Sequence, residues 1–532
     1  MQLIDYIVFG IYFIVVASYG WSIYQRKKQK AASSNDYFLA EGSLTWWAIG
    51  ASLIASNISA EQFIGMSGNG FNMGLGISTY EWMAAATLLV VAIFFMPTYL
   101  RNKIFTMPQF LSMRYNSTVS TIMAIFWLFL YIFVNLTSIL YLGALAVSTI
   151  SGLDFTVCML FLALFAVIIT IGGMEVIGYT DVIQVFFLII GGLATTYLAV
   201  TLVSKNFGTD GLMTGLNLMQ EKAGDHFHMI FKKDGNHEHY MALPGLAVLV
   251  GGMWIVNLNY WGCNQYITQR ALGADLKTAR EGILFAAGLK ILMPIIVVVP
   301  GIAAYVLYQK GMPQFQQGML KAGALNQDNA YPVLLSLLPA GLKGLSFAAL
   351  TAAIVASLAG KANSISTIFT LDIYKKFFGK DTSEAQLVYI GRGTVVAALL
   401  IAIIASPFMG IDKKGGFQFI QEMTGLVSPG LFAAFFMGFF WKKTNSEGAL
   451  FAIVGGFILS LGMYNFLPEV PFIDKMGYVF LICVAVMVAL GLWKPSDKGL
   501  EVDSNDFKIS GTFAIGTGVI LTTLVILYYT FW

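Results

Sequence analysis

Charge is what this sequence has least of. Only 11% of its 532 residues are Asp, Glu, Lys or Arg, while 57% are hydrophobic; soluble domains carry about 25% charged residues. That balance excludes a water-soluble globule. The net charge of +3 gives no nucleic-acid signal, because the basic residues sit in short loops between apolar runs. Cysteine is almost missing as well. Cys158, Cys263 and Cys483 all fall inside apolar runs, and an odd number of buried thiols argues against a disulfide framework. Histidine is absent from the apolar body: His226, His228, His237 and His239 share one loop. Their HFH and HEH pairs read as solvated residues rather than a metal cage. Gly68-Asn69-Gly70 lacks the strand–helix context and the Lys of a phosphate loop, and no nucleophile-plus-base arrangement is present. Neither an enzyme nor an organic cofactor is expected. A cleavable signal peptide is not evident either, since Ile4 to Ile23 is long enough to span and Arg26-Lys27-Lys28 follows it.

What is present is a succession of apolar runs, each about twenty residues or longer. They predict an all-α polytopic membrane protein with about fourteen transmembrane helices. The ranges are 4–24, 44–70, 76–100, 118–150, 154–172, 178–203, 242–268, 278–308, 341–371, 385–408, 416–440, 447–467, 472–493 and 511–531. Loops with Arg26-Lys27-Lys28-Lys30, Arg101, Lys103, Arg114, Arg270, Lys277, Arg280, Lys375-Lys376-Lys380, Lys442-Lys443, Lys494 and Lys498 all fall on one side. The positive-inside rule makes that side cytoplasmic and leaves both termini outside. Lys413-Lys414 and the long loop 205–241 oppose the rule, but long loops count for little. The chain is expected in the cell's inner (plasma) membrane.

Two of these runs are broken. In the second, the apolar pattern gives way to Ser56-Asn57-Ile58-Ser59 and then Glu61-Gln62. Ser and Asn side chains compete with the helical ladder, and irregular backbone at bilayer depth is tolerated only around a cavity or inside protein. The seventh run, from Leu243 to Arg270, holds Gly251-Gly252, Asn257, Asn259, Tyr260, Trp261, Gly262 and Asn264. The second break lies five spans after the first. An odd separation means opposite directions of crossing, the arithmetic of an inverted five-helix repeat with a binding site where the breaks meet. One repeat would cover about 44–203 and the other about 242–440, with peripheral helices 4–24 and 447–531, all in a single transporter domain.

Several polar side chains lie where hydrocarbon would otherwise be: Glu81, Asn135, Asp181, Lys290, Lys361 and Gln421-Glu422. Interhelical glue is the bland reading, at about 0.6 kcal/mol per hydrogen bond. An isolated charge is a costly adhesive, however, so Glu81 and Lys290 point to function. A carboxylate, an ammonium and amides can both donate to and accept from hydroxyl groups. Beside them, Tyr260 and Trp261 offer flat apolar faces. Sugars need that mixture.

The stretch GASLIASNISAEQFIGMSGNG at 50–70 completes the picture, with TYEW at 79–82, FVNLTSILYLGALA at 133–146, YTDVIQVFF at 179–187, NQYITQR at 264–270 and FTLDIYKK at 369–376. Together they resemble the sodium:solute symporters, within them the sodium/glucose cotransporter branch, and most of all its bacterial galactose-transporting members. The likeness runs along the whole chain and implies a LeuT-like core of two inverted repeats. It implies sugar contacts at Asn57, Gln62, Glu81, Asn257, Lys290 and Gln421, with Tyr260 stacking under the sugar as inner gate. Met66, Tyr80 and Phe417 match the outer gate. Ala84 stands where the galactose transporters carry a serine, and Asn259 where they carry a tyrosine.

The resemblance also implies a Na⁺ site made by the carbonyls of Ala55, Ile58 and Ala353, with hydroxyls at 356 and 357. This chain keeps Ser357 but has Ala356. Lys361 follows one turn later, on the same helix face. Either its ammonium takes the ion site, giving proton-coupled or uncoupled transport, or it pairs with Asp181 and Na⁺ still binds. The sodium reading is taken, since Ser357 and the break at Asn57 are retained. The expected partners are therefore a small sugar, Na⁺ and the lipid bilayer, with no nucleic acid and no obligate protein partner. Alternatives in the same fold are transport of another polyol, sialic acid or an amino acid; a carboxylate substrate would favour unpaired cations. A sensor would need an output domain, and this chain ends at Trp532 just after a span.

Overall fold

The computed structural model describes residues 2–28, 37–38, 44–321, 323–408 and 416–532. Lys30 and Lys413-Lys414, used above for orientation, lie outside these residues. Helix appears in each apolar run read from the sequence. Among the described residues, ten helices are long and apolar enough to cross a membrane, or up to twelve if each bent pair is one span. The chain is a multi-pass membrane protein. Many large apolar side chains point outward, among them Leu164, Ile404, Ile515 and Val525. That is the expected surface for helices whose solvent is lipid.

The first break is sharp. The Trp46–Asn57 helix ends at Ile58, which is extended (φ −77°, ψ 111°). Helix then resumes as a wide turn over Glu61–Met66 and continues through Ser67–Met73. Ser59 caps the new start: its Oγ accepts from Glu61 N at 3.1 Å, while Gln62 Oε1 accepts from Ser59 N at 3.0 Å. The seventh run breaks twice. It bends by 78° at Gly251 and opens again at Cys263-Asn264, between helices Gly252–Gly262 and Gln265–Leu272. The Tyr131 hydroxyl fills the second opening, accepting from Gln265 N at 3.1 Å and donating to Asn264 Oδ1. A third break was not foreseen. Phe417–Gly425 and Ser428–Phe440 meet at 53°, at the sequence Val427-Ser428-Pro429, where proline removes a ladder donor and restricts the residue before it.

Close packing positions the first break. The Trp46–Asn57 helix lies along Leu276–Val297 with two glycines facing. A Cβ on Gly50 would sit 2.6 Å from the Gly282 carbonyl oxygen, and one on Gly282 would sit 2.9 Å from the Trp46 carbonyl oxygen. Small residues let helix backbones approach in a membrane. Two turns further on, this contact delivers Asn57 and Lys290 to the same level. Behind them, Met174–Asn206 packs along Leu342–Thr367, and the latter also contacts Trp46–Asn57.

Candidate functional site

Four of the polar residues picked out in the sequence form one connected chain at the first break. Lys290 Nζ pairs with Glu81 Oε2 and donates to Asn57 Oδ1. The other end of the same amide, Asn57 Nδ2, donates to the Tyr260 hydroxyl at 2.9 Å. All are buried except Tyr260, which is half-buried. Lys290 Nζ also lies 5.1 Å from the centroid of the Trp261 ring, and Trp261 packs edge-on against Tyr260 at 5.1 Å. Helices Trp46–Asn57, Thr79–Val90, Gly252–Gly262 and Leu276–Val297 each contribute a member. The result is a neutral ion pair wired to an amide and a phenol, with two aromatic faces beside it. Such a set can donate to and accept from several hydroxyl groups at once.

Other predicted members sit nearby without joining that chain. Gln62 gives its Oε1 to Ser59 in the helix cap. Asn257 donates to the Met253 carbonyl of its own helix at 3.2 Å. Gln421 is half-buried on the Gly416–Gly425 helix. Among the described residues, its side chain makes no hydrogen bond to Asn57, Glu81, Lys290 or Tyr260. Ala84, where a serine was noted missing, is fully buried.

Two of the residues expected at the outer gate meet ring to ring. Tyr80 and Phe417 meet edge-to-face with centroids 5.0 Å apart. Phe417 also lies flush on the helix, since a Cβ on Gly65 would be 2.6 Å from its own Cβ. Met66, next to Gly65, is completely buried. A cavity of about 610 Å³ is lined by Asn69, Met73, Gln327, Gln418, Glu422 and Lys475 among others.

The residues proposed for the ion converge as well. Ser357 Oγ lies 3.1 Å from the Ala55 carbonyl oxygen and 3.2 Å from those of Ser56 and Ile58. These carbonyls are the free, partly negative end of a helix that stops at Asn57. Unwound carbonyls and half-helix C-termini are what coordinates Na⁺ in broken-helix transporters. Ala353 is buried one turn before Ser357 on the same helix. Ser56 O was not anticipated; it follows directly from the unwinding.

Lys361 requires a correction. It does not pair with Asp181. Its Nζ lies 4.0 Å from Glu61 Oε1 and 4.7 Å from the Tyr266 ring centroid. Asp181 is taken by Arg270 at 3.9 Å and by the Ser52 hydroxyl. Arg270, read from the sequence as a cytoplasmic loop charge, is only 1% exposed. Its guanidinium donates to Ser52 O and Ser52 Oγ at 3.2 and 3.1 Å. Arg114 is likewise buried and caps a helix end, donating to the Gly438, Trp441, Lys442 and Thr444 carbonyls. Glu61 was visible as a charge inside an apolar run, but nothing in the sequence said that Lys361, three hundred residues away, would face it.

One histidine departs from expectation. Among the described residues no three His, Cys, Asp or Glu side chains form a metal-holding group. His226 is not solvated: it is 8% exposed, stacked on Tyr305 at 4.0 Å and hydrogen-bonded to Phe71 O at 3.0 Å. Burial pushes its pKa below the usual value of 6.5.

The chain's relatives agree with this architecture. The sodium:solute symporter family pattern matches residues 37–456. A sodium/glucose cotransporter of Vibrio parahaemolyticus is 47% identical over 543 aligned positions, covering 100% of this chain and 99% of that protein. The human sodium/myo-inositol cotransporter 2 is 34% identical, over 86% of this chain and 69% of its own. Among solved structures, the substrate-bound outward-open state of a Na⁺-coupled sialic acid symporter superposes with a TM-score of 0.80. It covers 93% of this chain and 99% of its own at 22% identity, which supports the fold alone. On the length of the family match and the identity to full-length relatives, this chain belongs to the sodium:solute symporter family.

Proposed function

We propose that the protein takes up a hexose of the galactose or glucose type together with Na⁺ by alternating access. The observation that carries this reading is the chain Glu81–Lys290–Asn57–Tyr260, placed directly beside the Ala55, Ile58 and Ser357 oxygens. A single break in one helix thus supplies Asn57 to the sugar and carbonyls to the ion. Occupancy of one position then bears on the other, as coupling requires. The sugar would displace the hydrogen bond from Lys290 to Asn57, leave Asn57 held to the Tyr260 hydroxyl, and lie against the Tyr260 ring. Gln62, Asn257 and Gln421 would contribute further amide contacts, and Met66, Tyr80 and Phe417 would close above it. The sodium/glucose relative supports the hexose assignment.

The same reading takes the fold to be fourteen helices around a LeuT-like inverted-repeat core. The repeats run over about 44–203 and 242–440, and Ala353 O joins the ion. The protein would lie in the plasma membrane with both termini outside the cytoplasm.

A second reading is transport of a cyclic polyol, favoured by the relatives named for myo-inositol. A ring of hydroxyls presents the same donors and acceptors to this site. The test is uptake of labelled glucose, galactose and myo-inositol into proteoliposomes, first under an imposed Na⁺ gradient and then under a pH gradient without Na⁺. Sodium-driven accumulation of a hexose is expected. Accumulation driven by protons alone would overturn the sodium assignment, and accumulation of myo-inositol but no hexose would overturn the substrate.

A further inference from the structure

Beside the ion oxygens lies a second set of buried charges that the sugar site does not use. Glu61 sits three residues past Ile58, and Lys361 sits one turn past Ser357, so both flank the carbonyl cluster. Their charged atoms face each other at 4.0 Å. Ser138 Oγ donates to Glu61 Oε1 at 3.4 Å, and Tyr266 lies under the ammonium. The Ser56 hydroxyl, next to Gly360, is buried and has no hydrogen-bond partner among the described residues. Arg270 and Asp181 complete the charged groups here, held to each other and to Ser52.

The charges of this cluster sum simply. Glu61 and Asp181 are matched by Lys361 and Arg270, so the cluster is neutral before any ion arrives. A buried carboxylate without a counter-charge is strongly unfavourable, so Glu61 needs a cation at all times. Without Lys361 the cluster would carry one uncompensated negative charge. Glu61 and Ser138 would then offer hard oxygen ligands of the kind that hold Na⁺.

We propose that Lys361 is a tethered cation that occupies, at Glu61, the place of a second mobile Na⁺, and so fixes the protein at one coupling ion per sugar. This rests on the sodium reading above. The ammonium cannot dissociate, so it holds Glu61 neutralised while the ion at Ser357 comes and goes.

The experiment is equilibrium binding of ²²Na⁺ to the purified full-length protein, with Na⁺-dependent sugar uptake measured alongside. The wild type should bind one Na⁺, and Lys361→Met should bind two, with the Hill coefficient for Na⁺ rising from about 1 toward 2. Lys361→Arg should stay at one, and the double variant Glu61→Gln/Lys361→Met should return to one. If Lys361→Met does not fold, Lys361→Gln is read the same way. A wild type that binds two ions overturns the proposal. So does a Lys361→Met protein that stays at one, including by taking up a proton at Glu61; in that case the sodium reading stands. A wild type that binds no Na⁺ and accumulates sugar on a pH gradient overturns both.

Discussion

Asn57 Nδ2 donates to the Tyr260 hydroxyl across 2.9 Å, tying the end of one broken helix to the aromatic face carried by another. The two residues are 203 positions apart in sequence. With Lys290 on its other end, Asn57 is the hinge of the whole polar chain. Each member of that chain makes a different prediction.

Tyr260 offers both a ring and a hydroxyl. Tyr260→Phe keeps the ring and loses the hydrogen bond to Asn57, a loss of about 0.5–1.5 kcal/mol. Sugar affinity should therefore fall about two- to tenfold while uptake persists. Tyr260→Ala should abolish uptake. Equal, full uptake by the two variants would mean that Tyr260 only packs.

Lys290 and Gln62 should be separable by stability. Truncating a group that bonds a buried sugar hydroxyl costs about 1–3 kcal/mol, so either alanine variant should weaken sugar binding about ten- to a hundredfold. Lys290→Ala additionally strands the Glu81 carboxylate, and breaking a buried pair costs about 3–5 kcal/mol. Its melting temperature should fall well below that of Gln62→Ala. Adding Glu81→Gln should restore the melting temperature but not sugar binding. Thermal melts with and without sugar read both effects.

Ser357 is the ion test. Ser357→Ala removes the hydroxyl that lies within 3.2 Å of three carbonyl oxygens. The Na⁺ concentration for half-maximal uptake should rise about tenfold or more, the equivalent of about 1.4 kcal/mol. An unchanged sodium dependence would remove Ser357 from the ion site.

Gly50 is a packing test remote from the chemistry. A branched side chain there meets the Gly282 carbonyl oxygen and Phe285 Cδ1, each 2.6 Å from the first carbon added. Overpacking of this kind costs about 1–3 kcal/mol and would separate Asn57 from Lys290. Gly50→Val should lower both thermal stability and sugar affinity; a variant that loses neither would show that the two helices have room to spare.

His226 sets a pH dependence on the loop that carries it. Its pKa is lowered in the fold because burial disfavours the imidazolium. The docked loop is therefore favoured while the unfolded-state imidazole is neutral, and it loses stability as pH falls below about 6.5 toward the depressed value. Hydrogen exchange over residues 224–231 should accelerate below that pH in the wild type. His226→Phe, which can still stack on Tyr305, should show no such acceleration.

The sequence by itself determined the membrane class, the helical runs, the break at Asn57-Ser59 and the family. Each of these is written locally: an apolar run needs no distant partner to be recognised, and Ser, Asn and a charge inside one mark the place where the ladder fails. Pairings were beyond it. Lys361 could be set on the face of Ser357 by helical periodicity, yet whether Glu61 or Asp181 would meet it depends on how four helices cross. Arg270 and Arg114 read as loop charges, because the sequence shows neighbours along the chain and not the carbonyls or carboxylates that fold over them. His226 read as solvated for the same reason, since Tyr305 arrives from another helix. Tertiary structure decided which charge neutralises which. Charge pairing inside a membrane is a matter of ångströms between elements far apart in sequence, and helix period fixes only the face from which each side chain sets out.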